Sequence, residues 1–273
     1  MKRVYVYGAF DDIRSRHVRF LEEGAKLGEL YVLLWTDEAT ERLTGNRPKF
    51  PLPERKYFLE SIRFVKVVTS TDALCGANTL PVDKVETSDV WVVSESDDDS
   101  SNREFCVSAG MEYVLIPNDS LKGFPSGDNV EECLGEARPK VVVTGCFDWL
   151  HTGHIRFFEE ASAYGDLYVV VGHDANLRRL KGEGHPMFPQ EERRYMAQSI
   201  RFVRRALISS GDGWLDAEPE IMRIKPDIYL VNEDGDRMEK REFCDKHGIR
   251  YVVLKRTPKD GLPRRESTQL RGF

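Results

Sequence analysis

The chain repeats itself, and the repeat limits what it can fold into. Ser61-Ile62-Arg63-Phe64-Val65 returns as Ser199-Ile200-Arg201-Phe202-Val203, and Arg103-Glu104-Phe105-Cys106 returns as Arg241-Glu242-Phe243-Cys244. The copies lie 137 residues apart early in the repeat and 138 later, so one residue separates their lengths. A single repeat of that size is a duplicated domain, since solenoid units run to about 20–50 residues. Within the first copy, strands are expected at Val4 to Tyr7, Leu30 to Trp35, Val65 to Val68, Val90 to Val93 and Tyr113 to Ile116. Helices are expected near His17 to Lys26, Glu54 to Arg63, Asn78 to Val85 and Arg103 to Ala109, with a loop after the second strand. Val141 to Thr144 and Leu167 to Val171 take the places of the first two strands in the second copy. Strands alternating with helices imply right-handed crossovers and a parallel sheet. The expectation is an α/β chain of two doubly wound parallel sheets: residues 1–120, a Gly-, Pro-, Asp- and Ser-rich linker at 121–139, and residues 140–273.

Charge and cysteine usage narrow the function classes. The 273 residues are long enough for two cores, and the net charge of −6 argues against nucleic-acid or anionic-membrane partners. Five cysteines without a C-x-x-C pair suggest reduced thiols. Met1-Lys2-Arg3 runs directly into a strand, and no apolar run reaches membrane length. A cytoplasmic protein is expected.

The second copy carries Gly145-Cys146-Phe147-Asp148-Trp149-Leu150-His151-Thr152-Gly153-His154 between its first strand and first helix. A helix start favours anions through free N–H groups and the dipole, so two histidines there suggest a held phosphate chain. A bare H-x-G-H alone would be a capping turn with two ordinary histidines. The longer pattern G-x-F-D-x-x-H-x-G-H resembles the signature of the cytidylyltransferase-like nucleotidyltransferases. That family includes glycerol-3-phosphate and ethanolamine-phosphate cytidylyltransferases and heptose-phosphate adenylyltransferases. The resemblance implies a Rossmann-like fold for both copies and transfer of CMP, slightly favoured, or AMP from a nucleoside triphosphate to a phosphorylated small alcohol or sugar. Pyrophosphate would leave, and Mg²⁺ would bind mainly through phosphate oxygens, with no protein metal site.

Comparing the copies suggests that the second is the competent one. Gly8-Ala9-Phe10-Asp11 matches Gly145 to Asp148, but Arg14-Ser15-Arg16-His17 stands where His151-Thr152-Gly153-His154 stands. Thr44 replaces Lys181, and Ile116-Pro117-Asn118-Asp119 shows nothing like the closing Arg256-Thr257 and Ser267-Thr268. The first copy is read as degenerate, a structural partner or regulatory site, packed on the second in an intramolecular pseudo-dimer.

By the same resemblance, His151 and His154 hold the triphosphate, and Lys181, Ser267 and Thr268 close over it. Arg193 is a further catalytic candidate. Gly145, Cys146, Phe147, Asp148, Gly153, Asp174, Arg201, Glu233, Asp234 and Arg256 are candidate nucleotide contacts. Lys181 reads equally as a solvated lysine, Ser267-Thr268 as a plain helix cap, and Arg193 and Arg201, retained as Arg55 and Arg63, as salt-bridge formers. Trp214 and Asp216 are candidates for the acceptor pocket, or a Trp packed on the sheet edge. Asn232 stands where the family commonly has the glycine of G-D-D. Two other classes remain: a non-catalytic nucleotide sensor or scaffold of the same fold, and an unrelated dinucleotide-binding enzyme, against which the missing G-x-G-x-x-G counts.

Overall fold

The computed structural model describes residues 2–72, 85–125 and 138–270, with the side chains of Thr268 and Gln269 excepted. The chain divides into two units, Met1–Gly123 and Phe124–Phe273. The first holds β1 (Arg3–Gly8), α1 (Ser15–Ala25), β2 (Glu29–Trp35), α2 (Asp37–Thr44), α3 (Leu52–Ser61), β3 (Val65–Thr71), β4 (Val90–Ser94), α4 (Ser100–Ala109) and β5 (Glu112–Ile116). The second holds β6 (Lys140–Gly145), α5 (Thr152–Ser162), β7 (Asp166–Val171), α6 (Asp174–Lys181), α7 (Gln190–Gln198) and β8 (Val203–Ile208). It continues with α8 (Glu218–Ile224), β9 (Ile228–Asn232), α9 (Met238–His247), β10 (Arg250–Leu254) and the short α10 (Ser267–Leu270). The expected helix from Asn78 to Val85 and most of the expected linker lie outside the described residues.

Both sheets have five parallel strands in the same order, β3-β2-β1-β4-β5 and β8-β7-β6-β9-β10. This is the doubly wound, Rossmann-like fold. The central strands are covered on both faces, which is why Val141-Val142-Val143 is an unbroken apolar run with no exposed surface. In the second unit, Val142, Val170, Tyr229 and Val231 pack with Ala217, Ile221, Phe243 and Cys244, so α8 and α9 cover one face. Alternation along the strands turns Val141, Val143, Val169 and Val171 to the other face, where α5 and α7 pack.

One expectation is corrected in both units. The segment after the second strand folds as a helix, α2 or α6, where a loop was expected. Two turns present too few apolar positions for a 3.6-residue period to show. The ends carry the signal instead. Thr36 Oγ1 accepts from Ala39 N at 3.2 Å, and His173 Nδ1 accepts from Asn176 N at 3.3 Å. Asp37, Glu38 and Asp174 sit in the first turns; Arg42, Arg178, Arg179 and Lys181 sit in the last.

Candidate active site

In a doubly wound sheet the crossovers reverse direction between the first and fourth strands, and a crevice opens at their carboxyl ends. In the second unit that place lies beyond β6 and β9. A cavity of about 450 Å³ opens there, lined from β6 by Thr144, Gly145 and Cys146 and from β9 by Val231 and Asn232. The start of α5 reaches it from one face of the sheet and α9 from the other.

The turn leaving β6 is strained and firmly held. Phe147 has φ 49°, and its counterpart Phe10 has φ 45°, a left-handed backbone that bulky residues seldom adopt. Gly145 carries no Cβ because one would lie 2.8 Å from the Phe147 ring. The ring in turn packs edge-on to His154, centroids 5.4 Å apart. Asp148 accepts from Met187 N at 2.7 Å and Phe188 N at 3.0 Å, pinning the loop before α7. Asp11 does the same with Lys49 N and Phe50 N at 2.8 and 2.9 Å.

Arg193 completes this clasp. Its guanidinium donates to Phe188 O at 2.9 Å, Cys146 O at 2.7 Å, Gly172 O at 2.7 Å and Asp174 Oδ1 at 2.6 Å. Arg55 repeats the arrangement with Phe50 O, Ala9 O, Trp35 O and Asp37. Neither Arg193 nor Asp174 lines the cavity. Their bonds join three loops at the carboxyl end of the sheet in both units alike.

The two histidines occupy different places. His151 is 3% exposed and its Nδ1 accepts from Gly153 N at 3.0 Å, capping α5. His154 lines the cavity with its ring stacked on that of His151, centroids 4.0 Å apart. His151 Nε2 and His154 Nδ1 are buried without a hydrogen-bond partner, a cost normally relieved by a ligand or water. Gly153 is small for a local reason: a Cβ there would meet the His151 ring at 2.9 Å and the Arg265 carbonyl at 3.4 Å.

Burial, then the charge of Arg256, lowers the His154 pKa to about 3; burial, then His154 itself, lowers that of His151 well below its usual range. The pair meets a ligand uncharged, as hydrogen-bonding rings. Below pH 6.5, and for His154 down to about pH 3, the unfolded chain binds protons that the folded rings refuse, so stability falls as pH drops. The unfolding free energy from urea titrations between pH 7 and 5 should decline by up to about 1.4 kcal/mol per pH unit for each ring. The decline should be shallower in a His154→Asn variant.

The remaining candidates divide. Lys181, the last residue of α6, lines the cavity with Ser267, Asp234, Arg256, Trp214 and Asp216. Arg256 pairs with Asp234 at 3.0 Å and donates to Arg265 O at 2.9 Å, tying the closing segment to the turn after β9. Ser267 Oγ donates to Trp149 O at a long 3.4 Å. Glu233 accepts from Arg256 N at 3.4 Å, away from the cavity wall. Arg201 is exposed in the turn before β8 and also stands apart. The side chain of Thr268 lies outside the described residues.

Sequence reasoning missed Arg237 and Lys240. Both line the cavity, and Arg237 stacks on Trp214 at 5.2 Å. Inside Glu239-Lys240-Arg241 the lysine looks like one of a run of surface charges. One signal was available, since the matching position in the first unit is the neutral Asn102.

Fold and site together define an α/β unit whose crevice receives a histidine from the start of α5 and cations from the end of α6, from α9 and its N-cap, and from the segment after β10. Comparison makes the class specific. A family model described as cytidylyltransferase-like matches residues 142–261. An FAD synthase from Aciduliprofundum boonei is 37% identical over 42% of this chain and 76% of that protein. The bifunctional protein HldE of Campylobacter concisus is 38% identical over 39% of this chain, but only 23% of that protein is covered. A lipopolysaccharide core biosynthesis protein from Thermoplasma volcanium is a solved structure 26% identical, covering 45% of this chain and 98% of its own, with a TM-score of 0.38. The chain belongs to the cytidylyltransferase-like nucleotidyltransferases. Among the described residues, no helix is long and apolar enough to cross a membrane.

Proposed function

We propose that the second unit transfers a nucleoside monophosphate from ATP or CTP to a phosphorylated small molecule. An oxygen of the acceptor's phosphate attacks the α-phosphorus of the nucleotide. The bond from that phosphorus to the bridging oxygen breaks, and pyrophosphate departs with the electron pair. The attacking phosphate is already anionic, so the protein needs no general base; its task is alignment and charge neutralisation. His154 would donate a hydrogen bond to the triphosphate, with Lys181 and Arg256 as positive partners and Ser267 closing over them. His151 would act behind His154, holding its ring and the start of α5.

The observation that carries this reading is the placement of His154 on the wall of the switch-point crevice, in the same cavity as Lys181, Arg256 and Ser267. The first unit differs at the same place. His17 Nδ1 there accepts from Arg14 N at 3.1 Å, and the Arg14 guanidinium is paired with Asp12 at 2.8 Å. This supports a structural or regulatory role for the first unit.

Asp216 and Asp234 are carboxylates on the wall that fit Mg²⁺ carried mainly on phosphate oxygens. Bound there, the ion would neutralise charge on the triphosphate. The test is pyrophosphate release with Mg²⁺, ATP or CTP, and a panel of phosphorylated alcohols and sugars. The name FAD synthase adds flavin mononucleotide to that panel. Release that requires one nucleotide and one acceptor together is expected. Tight nucleotide binding with no release from any pair would replace this reading with a non-catalytic sensor.

A further inference from the structure

Lys240 is a buried lysine whose environment makes little use of its charge. It is 8% exposed, on the face of α9 that closes the crevice opposite α5. Its ammonium has two long contacts, 3.5 Å to Thr144 Oγ1 and 3.4 Å to Gly235 O, and sits 5.6 Å from the centre of the Tyr229 ring. The Thr144 hydroxyl is already engaged with Tyr229 Oη at 2.7 Å. Asp216 and Asp236 act on Lys240 only through space, and Arg237 opposes them. Asp216 accepts from Ser209 Oγ at 2.7 Å, and Asp236 is bound by Arg241. An ammonium withdrawn from water without a carboxylate in contact is costly. Such a group is kept where an anion completes it, and the open side of this one is the cavity.

Its position says which anion. Thr144 immediately precedes Gly145, so Lys240 reaches the crevice floor from the α9 side while His154 reaches it from the α5 side. The reaction proposed above brings two anions together, the triphosphate and the acceptor's phosphate. His154, Lys181 and Arg256 serve the first. We propose that Lys240 binds the acceptor's phosphate and holds its oxygen toward the α-phosphorus, with Arg237 and Trp214 forming the outer wall of that subsite. The lysine is present in the second unit and is Asn102 in the first, which also has Arg14 in place of His151. This inference rests on the function proposed above.

Calorimetry separates the two. The full-length protein is first saturated with Mg²⁺ and an α,β-methylene analogue of ATP or CTP, then titrated with inorganic phosphate. Lys240→Met should weaken phosphate about 10- to 100-fold, the loss of a charge-assisted hydrogen bond, and leave the analogue's affinity within about twofold. Lys240→Arg should restore most of the difference. Equal phosphate binding by wild type and Lys240→Met overturns the inference and leaves nucleotide binding intact. Failure of the wild type to bind either analogue overturns the function itself and the inference with it. If Lys240→Met does not fold, amine acetylation of the wild type mapped by mass spectrometry decides. Inorganic phosphate added to the analogue complex should slow modification of Lys240 at least about tenfold. Unchanged modification overturns the proposal.

Discussion

Replacing His154 with alanine should cut pyrophosphate release by about 10²- to 10³-fold, the usual cost of removing one donor aimed at developing charge. The far-UV spectrum should be unchanged, because alanine favours the helix and the cap of α5 is supplied by His151. His17→Ala, the matching change in the first unit, should leave turnover within about twofold of wild type. The pair of variants is needed because the two units share their scaffold. Gly8 to Asp11 and Gly145 to Asp148 make the same turn, and Phe10 and Phe147 share its strained backbone. If His17→Ala were the more damaging change, the first unit would be the active one.

Arg193→Ala should be the most destabilising single change in the second unit. It removes five donors from a fully buried position and strands three backbone carbonyls and Asp174. Breaking a buried pair of this kind costs about 3–5 kcal/mol, which lowers the melting midpoint by roughly 10 °C. Arg55→Ala should do the same to the first unit, where the clasp is repeated around Asp37. Scanning calorimetry of both variants checks this. A normal melting profile for Arg193→Ala with lost turnover would return Arg193 to the catalytic machinery.

These predictions show where the sequence was legible. The duplication, the doubly wound sheets and the strand-turn-helix with its two histidines could be read from residue patterns, because apolar period, glycine placement and repeat offset are one-dimensional. The roles of Asp148, Asp174 and Arg193 could not. A carboxylate that accepts two loop amides and one that faces a ligand look alike in a sequence. Their retention in the first unit as Asp11, Asp37 and Arg55 was the available hint that they serve the scaffold. His151 and His154 form one motif in sequence, but one caps a helix and the other faces the cavity. The short α6, which delivers Lys181, was missed because its signal lies in its caps. Lys240 was hidden in a charged run, and only the sheet's geometry carries it to the crevice floor.

The most direct test of the central claim is a crystal of this protein soaked with Mg²⁺ and an α,β-methylene nucleoside triphosphate. The account predicts the triphosphate beyond β6 and β9, with a phosphate oxygen within about 3 Å of a His154 ring nitrogen and Lys181 and Arg256 around it. A nucleotide seated in the first unit beside His17, or elsewhere with His154 untouched, would contradict it.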